Sequence, residues 1–316
     1  MRDRYAAFDF GSDSTKIYAR EIYMEKTMLV IEEESQQVKS FGNDAYEYFE
    51  RLPKGFELIF PIRNGRIADL WALKMYIELF TKKYKINRRQ QILLAVPDEI
   101  TDIEQRAYRE VFSEWKRQKE MQLLKRPLAD AVGAGLMDGR PEASMIVNIG
   151  AQTTEMTVIA SGGIIVSHQF LMGSQWLDDM IVYMIKKRHQ IQIGRRTGKL
   201  LKYKYQKEVQ EEEIKGMDLY QGIPITFFMD FQEIRELFEE FFEMISEGIK
   251  ELIEKLPGDV AADLITQGIC LTGGGSGMER LPQYLEQTLG IPVRTAGAGE
   301  KTVILGLEQW FTKDRK

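Results

Sequence analysis

One cysteine in 316 residues excludes an internal disulfide, and Ile269-Cys270-Leu271 sets that thiol in an apolar strand. The cytoplasm is the compartment consistent with such usage. Positive charge is not in surplus: the formal net charge of −5 gives no general attraction to nucleic acid or to an anionic membrane. No apolar run reaches the roughly 18 residues that a membrane helix needs. Glycine and proline are scattered, so no linker or low-complexity segment is expected. MRDRYAAFDFG passes at once into a strand pattern, which leaves no room for a signal peptide or an amphipathic N-terminal anchor. With 44% hydrophobic and 29% charged residues, the chain has material for a substantial core, as one large domain or two lobes.

Apolar alternation and β-branched enrichment predict strands near 5–10, 15–23, 92–96, 145–149, 154–159, 163–170 and 268–272. Helical periodicity dominates 68–82, 102–117, 128–136, 175–188 and 231–256. In the last, Phe231, Ile234, Phe238, Phe241, Ile245, Ile249, Leu252 and Leu256 form one core-facing stripe. Asp230 and Glu233 suggest a capping box there, and Pro257-Gly258 a stop. An internal echo organises these elements. FDFGSDSTKIY (8–18) and VNIGAQTTEMT (147–157) share apolar, Asp/Asn, apolar, Gly, two small or polar residues, Ser/Thr, Thr, at an offset of 139 residues. Strand pairs followed by helices, twice over, indicate an α/β protein of two related lobes.

Three turns could face phosphates. Asp9-Phe10-Gly11-Ser12-Asp13-Ser14-Thr15 sets a carboxylate at a strand end before a turn whose N–H groups can form an anion-binding nest. Asp9 could also reach a magnesium ion through its water shell. Asn148-Ile149-Gly150-Ala151-Gln152-Thr153 is the second such turn, and Thr272-Gly273-Gly274-Gly275 the third. Consecutive glycines let backbone approach a flat ring or a phosphate without side-chain collision.

Taken together, these segments resemble the MreB family of bacterial actin homologues, from about Tyr5 to Glu308. PIRNGRIADL (61–70), ILLAVPDEITDIEQRA (92–107), RPLADAVGAGL (126–136), QIGRRTGKLLK (192–202), GMDLYQGIP (216–224) and AADLITQGICLTGGGSGMERL (261–281) carry the resemblance collinearly. It implies an actin-like, duplicated ribonuclease-H-like α/β fold of two lobes, with ATP and Mg2+ in a central cleft. Lobe I would span 1–141, with a small subdomain at about 26–66, completed by about 300–316. Lobe II would span 142–299, with a small subdomain at about 175–235.

Carried over residue by residue, the resemblance puts Asp9, Gly11, Ser12, Ser14 and Thr15 in the first phosphate loop, Asp9 holding Mg2+ through water. Gly150, Ala151, Gln152, Thr153, Thr154 and Glu155 fall in the second. Gly273, Gly274 and Gly275 fall in the adenosine loop, Lys199 at a ribose-contacting position and Lys202 near the base. Departures fall where the chemistry is demanding. Asn148 stands for an aspartate that supports the magnesium shell and the attacking water. Arg126 stands for the glutamate that positions that water, and a guanidinium has donors but no acceptor. It could instead pair with a γ-phosphate. Ala151-Gln152 replaces two glycines, Lys199 a glutamate, and Ser174-Gln175 a Gly-Asp. The family is a weak ATPase, and here slow or absent hydrolysis is expected.

The function so implied is that of a cytoskeletal protein in cell-shape determination, forming filaments with itself or a paralogue and meeting cell-wall or membrane-associated morphogenesis proteins. The alternative is a nucleotide-independent adaptor that uses the fold as a binding platform. A phosphotransferase of the sugar-kinase branch is set aside, for the chain is short and has no substrate-lobe insertion. KKYKINRRQQ (82–91), where relatives carry an apolar membrane loop, is basic and reads as a solvated turn, so direct membrane binding is not carried over. Met137-Asp138-Gly139-Arg140 and 203–215 would lie at filament-facing tips; the latter reads as a solvated helix or loop.

Overall fold

The computed structural model describes residues 5–137, 139–207 and 211–313. Two five-stranded sheets carry the molecule. The first contains β1 (Tyr5–Phe10), β2 (Ser14–Tyr18), β3 (Ile22–Lys26), β4 (Gln91–Val96) and β5 (Gln122–Lys125). The second contains β6 (Ser144–Ile149), β7 (Thr154–Ala160), β8 (Gly163–Phe170), β9 (Ile269–Thr272) and β10 (Val293–Thr295). Their orders are β5-β4-β1-β2-β3 and β8-β7-β6-β9-β10, each an antiparallel three-strand meander extended by two parallel strands. The echo in the sequence is thus an echo in register. Asp9 pairs with Lys16 and Phe10 with Thr15; Asn148 pairs with Glu155 and Ile149 with Thr154.

The helices that concern the cleft are α1 (Leu70–Lys83), α2 (Arg126–Gly133), α3 (Gln175–His189), α4 (Arg195–Tyr205), α5 (Gln232–Ile253) and α6 (Thr302–Lys313). Strand alternation sorts β1 between two cores. Ala6, Phe8 and Phe10 join the aromatic core under α1. Tyr5 and Ala7 face Val303, Ile304 and Leu307 of α6, and Asp9 follows them on that face. In β6, Met145, Val147 and Ile149 enter the core of the second sheet. Asn148 projects to the opposite side, toward α2.

α2 and α6 cross at backbone contact. A Cβ on Gly306 would lie 1.7 Å from the Ala129 carbonyl oxygen, and one on Gly133 2.0 Å from the Thr302 carbonyl oxygen. This crossing returns the C-terminal helix to the first sheet. α2 also bonds the second sheet, where Asp130 accepts from Asn148 and Thr272.

Three expectations need correction. The predicted strand 15–23 is two strands with a tight turn at Ala19–Glu21. No capping box starts α5: Phe231 is the N-cap without a side-chain bond, Asp230 accepts from the Gln232 N–H at 2.8 Å, and Glu233 pairs with His189. Stretch 203–215 is the end of α4 and part of a strand, Glu211–Asp218, paired antiparallel with Pro224–Asp230. Its acid-rich sequence has low strand propensity, and pairing plus burial of Ile214 and Met229 overrides it. Asp138 and residues 208–210 of the two expected tips lie outside the described residues. In the 82–91 stretch, Ile86 is buried, while Tyr84 stacks on Tyr23 and donates to Glu25. No helix among the described residues is long and apolar enough to cross a membrane.

The α2–α6 crossing yields a direct test. Gly306→Ala should destabilise the protein by about 3 kcal/mol or more in urea unfolding, because the helices must separate. Gly297→Ala, whose Cβ meets nothing within 4 Å, should stay within about 1 kcal/mol of the wild type. Equal effects would refute the crossing.

Candidate functional site

A cleft of about 820 Å3 opens between the two sheets, within the range of small-molecule sites. Its walls are the turns that join β1 to β2 and β6 to β7, the loop after β9, and the faces of α3 and α4. Asp9, Gly11, Ser12, Ser14, Arg126, Asn148, Gly150, Ala151, Gln152, Thr153, Lys199, Lys202, Gly273, Gly274 and Gly275 all line it. Thr15 does not: its hydroxyl is buried against Thr27, 3.0 Å away.

The glycines have different local causes. Gly11 allows the first turn to close, since a Cβ there would meet the Ser14 carbonyl at 2.6 Å. Gly273, at φ +78°, and Gly275 let the third loop lie against the end of β6; their Cβ atoms would reach Ile149 at 2.5 and 2.3 Å. Gly274 has open space beside it, its nearest neighbour being Glu300 Cβ at 3.8 Å. The second turn is held from behind, for Ser174 and Gln175 donate backbone N–H groups to the Gly150 and Ala151 carbonyls at 2.9 and 2.8 Å.

At the floor of the cleft, Arg126 begins α2, where the helix dipole disfavours a cation. Asp9 offsets that cost. Its Oδ1 lies 3.7 Å from Arg126 Nε, and its Oδ2 lies 3.8 Å from Lys16 Nζ. Arg126 Nη2 also donates to the Phe10 carbonyl at 3.3 Å. Burial works against the guanidinium charge, but Asp9 and Glu155 more than offset it and raise the Arg126 pKa. The Asn64-Gly65 hairpin lies over this group. Gly65 donates to Ser12 Oγ at 3.0 Å, and Asn64 donates to Gln152 Oε1 at 2.8 Å. Gln152 therefore ties the second hairpin to the first sheet's side of the cleft.

Behind Asn148 lies Asp130. Its Oδ2 accepts from Asn148 Nδ2 at 2.8 Å and from Thr272 Oγ1 at 2.6 Å, while Oδ1 has no hydrogen-bond partner among the described residues. Burial pushes Asp130 up to about 6, against these two bonds. Burial likewise pushes Glu155 up to about 7, against the pull of Arg126.

The mouth is laced by charge. Asp13 meets Lys26 at 2.5 Å and Lys199 at 3.3 Å; burial raises its pKa, but the two ammonium groups hold it below the ordinary value. Lys202 is buried, pairs with Asp178 at 2.6 Å and donates to the Ser174 carbonyl at 2.8 Å. Across the opening, Glu50 accepts from the Arg195 and Arg196 N–H groups at 2.5 and 3.1 Å, capping α4. Arg196 stacks over the Tyr46 ring at 4.8 Å.

Lys16, Lys26 and Asp130 were missed by sequence reasoning. A signal existed for Lys16, which holds the echo position of Glu155, and for Asp130, a lone carboxylate inside the apolar stretch 127–134. The pairings of Asp13 with Lys199 and of Glu50 with the start of α4 span too much sequence for any local pattern to reveal.

Asp130 and Glu155 make stability depend on pH. Their folded pKa values exceed the ordinary ones, so the folded chain binds more protons between about pH 4 and pH 7, and their contribution falls as pH rises through that window. Asp130→Asn should therefore gain about 1 kcal/mol relative to the wild type between about pH 5 and about pH 7.5 in urea unfolding. A difference unchanged by pH would refute the assignment.

The profile of the MreB/Mbl protein family matches residues 4–316. The cell shape-determining protein Mbl of Bacillus subtilis is 29% identical over 317 residues, covering 97% of this chain and 95% of the relative. The cell shape-determining protein MreB of Escherichia coli is 29% identical over 306 residues, covering 92% and 88%. Among solved structures, MreB5 of Spiroplasma citri bound to AMPPNP aligns with a TM-score of 0.93 at 24% identity, over 98% of this chain and 96% of that one. A MamK double helical filament aligns with a TM-score of 0.80 at 15% identity, over 98% of each chain. These likenesses establish the actin-like fold anticipated from the sequence. With the profile running across nearly its whole length, the chain belongs to the MreB/Mbl family.

Proposed function

We propose that this chain is an actin-like cytoskeletal protein that assembles into filaments serving cell shape, alone or with a paralogue. It binds an adenine nucleotide in the cleft and hydrolyses it slowly or not at all. In this reading the two sheets are the cores of two lobes divided near residue 141, with 26–66 and 175–235 as their small subdomains. The C-terminal helix α6 completes the first lobe. Partners from wall or membrane morphogenesis would recruit it beneath the membrane.

The observation that carries the reading is the floor of the cleft. The turns at Gly11–Ser14 and Gly150–Thr153 would take the phosphates, and Gly273–Gly275 with Lys199 and Lys202 the nucleoside. Around the two hairpins, the lining carboxylates among the described residues are Asp9 and Asp13, both already paired with cations. Arg126 cannot accept a proton from water, and Asn148 has its amide nitrogen engaged by Asp130. Such a site favours retention of the anion over its hydrolysis.

A second reading, a nucleotide-independent adaptor, draws support from the contacts that already span the cleft: Asn64 to Gln152, Lys199 to Asp13 and Glu50 to the start of α4. These could hold the lobes together without a ligand.

Titration calorimetry with ATP separates the two: micromolar binding is expected, and no binding would favour the adaptor. Pelleting and electron microscopy should show polymer, alone or with a paralogue; absence of polymer under both conditions would refute the filament reading. Hydrolysis should be recoverable. Arg126→Glu with Asn148→Asp restores both family residues, and Asp130→Asn is needed beside them, because a carboxylate at 148 would face Asp130 at hydrogen-bond distance. The triple variant should raise phosphate release by about tenfold or more. Unchanged turnover in a folded, ATP-binding variant would show that the block lies elsewhere.

A further inference from the structure

The resemblance implies Mg2+ with the nucleotide, yet the donor set at the cleft floor does not fit one. A magnesium ion wants an octahedron of oxygens, anchored by one or two carboxylates and completed by waters and phosphates. Here no group of three or more His, Cys, Asp or Glu among the described residues could hold a metal. Asp9 faces a fixed cation at each carboxylate oxygen, Arg126 at 3.7 Å and Lys16 at 3.8 Å. Asn148 brings no charge, and its amide nitrogen is turned to Asp130. Asp13 is enclosed by Lys26 and Lys199.

We propose that the phosphate end of this cleft works without a divalent cation: Lys16 and Arg126 are resident cations that neutralise the nucleotide's phosphates in its place. The inference rests on the nucleotide reading above and deepens it. Both side chains are about nine-tenths buried, and both are pinned to backbone. Arg126 donates to the Phe10 carbonyl at 3.3 Å, and Lys16 to the Ser14 carbonyl at 3.5 Å. They are therefore in position before any ligand arrives, with Asp9 as the counter-ion between them. The trio carries one net positive charge, which attracts a polyphosphate and repels a dication. A guanidinium presents planar paired donors that match phosphate oxygens, and an ammonium acts as a compact point charge with three donors. A free dication entering beside them would be repelled by both at short range, while Asp9 is already shared between them and burial, pushing Glu155 up to about 7, leaves that carboxyl largely protonated below neutral pH.

The test is calorimetric titration of the full chain with ATP, in excess EDTA and in millimolar Mg2+. Affinity is expected to agree within about threefold between the two conditions. Lys16→Met, which removes one resident charge, should weaken binding in EDTA by about tenfold and regain part of that loss when Mg2+ is added. Wild-type binding that tightens by about tenfold or more on adding Mg2+ would overturn the inference while leaving the nucleotide reading intact. Absence of ATP binding in both conditions would overturn the two together.

Discussion

The contact between Asp9 and Arg126 governs the rest of the cleft. A guanidinium at the first residue of a helix, nearly out of solvent, opposes both the helix dipole and its own desolvation. It is stable there because a strand-end carboxylate and the Phe10 carbonyl meet it. That requirement fixes how the end of β1 sits against α2. The Asn64-Gly65 hairpin lies beside the same guanidinium, where a Cβ on Gly65 would come 3.3 Å from Arg126 Nη1, and it donates to both cleft hairpins. The close α2–α6 crossing then follows, since α2 has been drawn beneath both sheets. Removing Asp9 would leave Arg126 and Lys16 buried without the carboxylate between them, which costs more than the pairing contributes.

At the mouth of the cleft, charge is matched before any ligand is considered. Asp13 is answered by Lys26 and Lys199, Asp178 by Lys202, and the start of α4 by Glu50. The exposed pair Glu47–Arg196 at 3.4 Å adds little stability, being screened by water and salt. The buried pairs matter through what they prevent. Lys202 is held by Asp178 and the Ser174 carbonyl, and Asp13 by Lys26 and Lys199.

Much of the architecture was legible along the chain. Repeated patterning around Asp9 and Asn148 anticipated two related sheets, and the apolar stripe of α5 anticipated a core helix; both rest on strong periodicity. Weaker local signals misled. Asp230 and Glu233 have capping-box spacing, yet Asp230 ends a strand and Glu233 turns to His189, because α5 starts one residue later than the spacing supposes. Stretch 203–215 looks solvated, yet antiparallel pairing of 211–218 with 224–230 makes its end a strand. Among site residues, the glycine turns could be found by sequence alone. Which glycines serve ligand access could not, since Gly273 and Gly275 are already required by their packing on Ile149.

The sequence by itself determined the family and the paired hairpins, because residue identity and short-range order suffice for each. Tertiary structure alone decided what the polar residues of the cleft face. Asn148 meets Asp130 across 18 positions, Arg126 reaches Phe10 across 116, and Lys199 meets Asp13 across 186. No local propensity encodes such meetings. They arise when burial of two apolar sheets brings α2 and α4 to the same cleft, where each charge left inside must find a counter-charge or be neutralised.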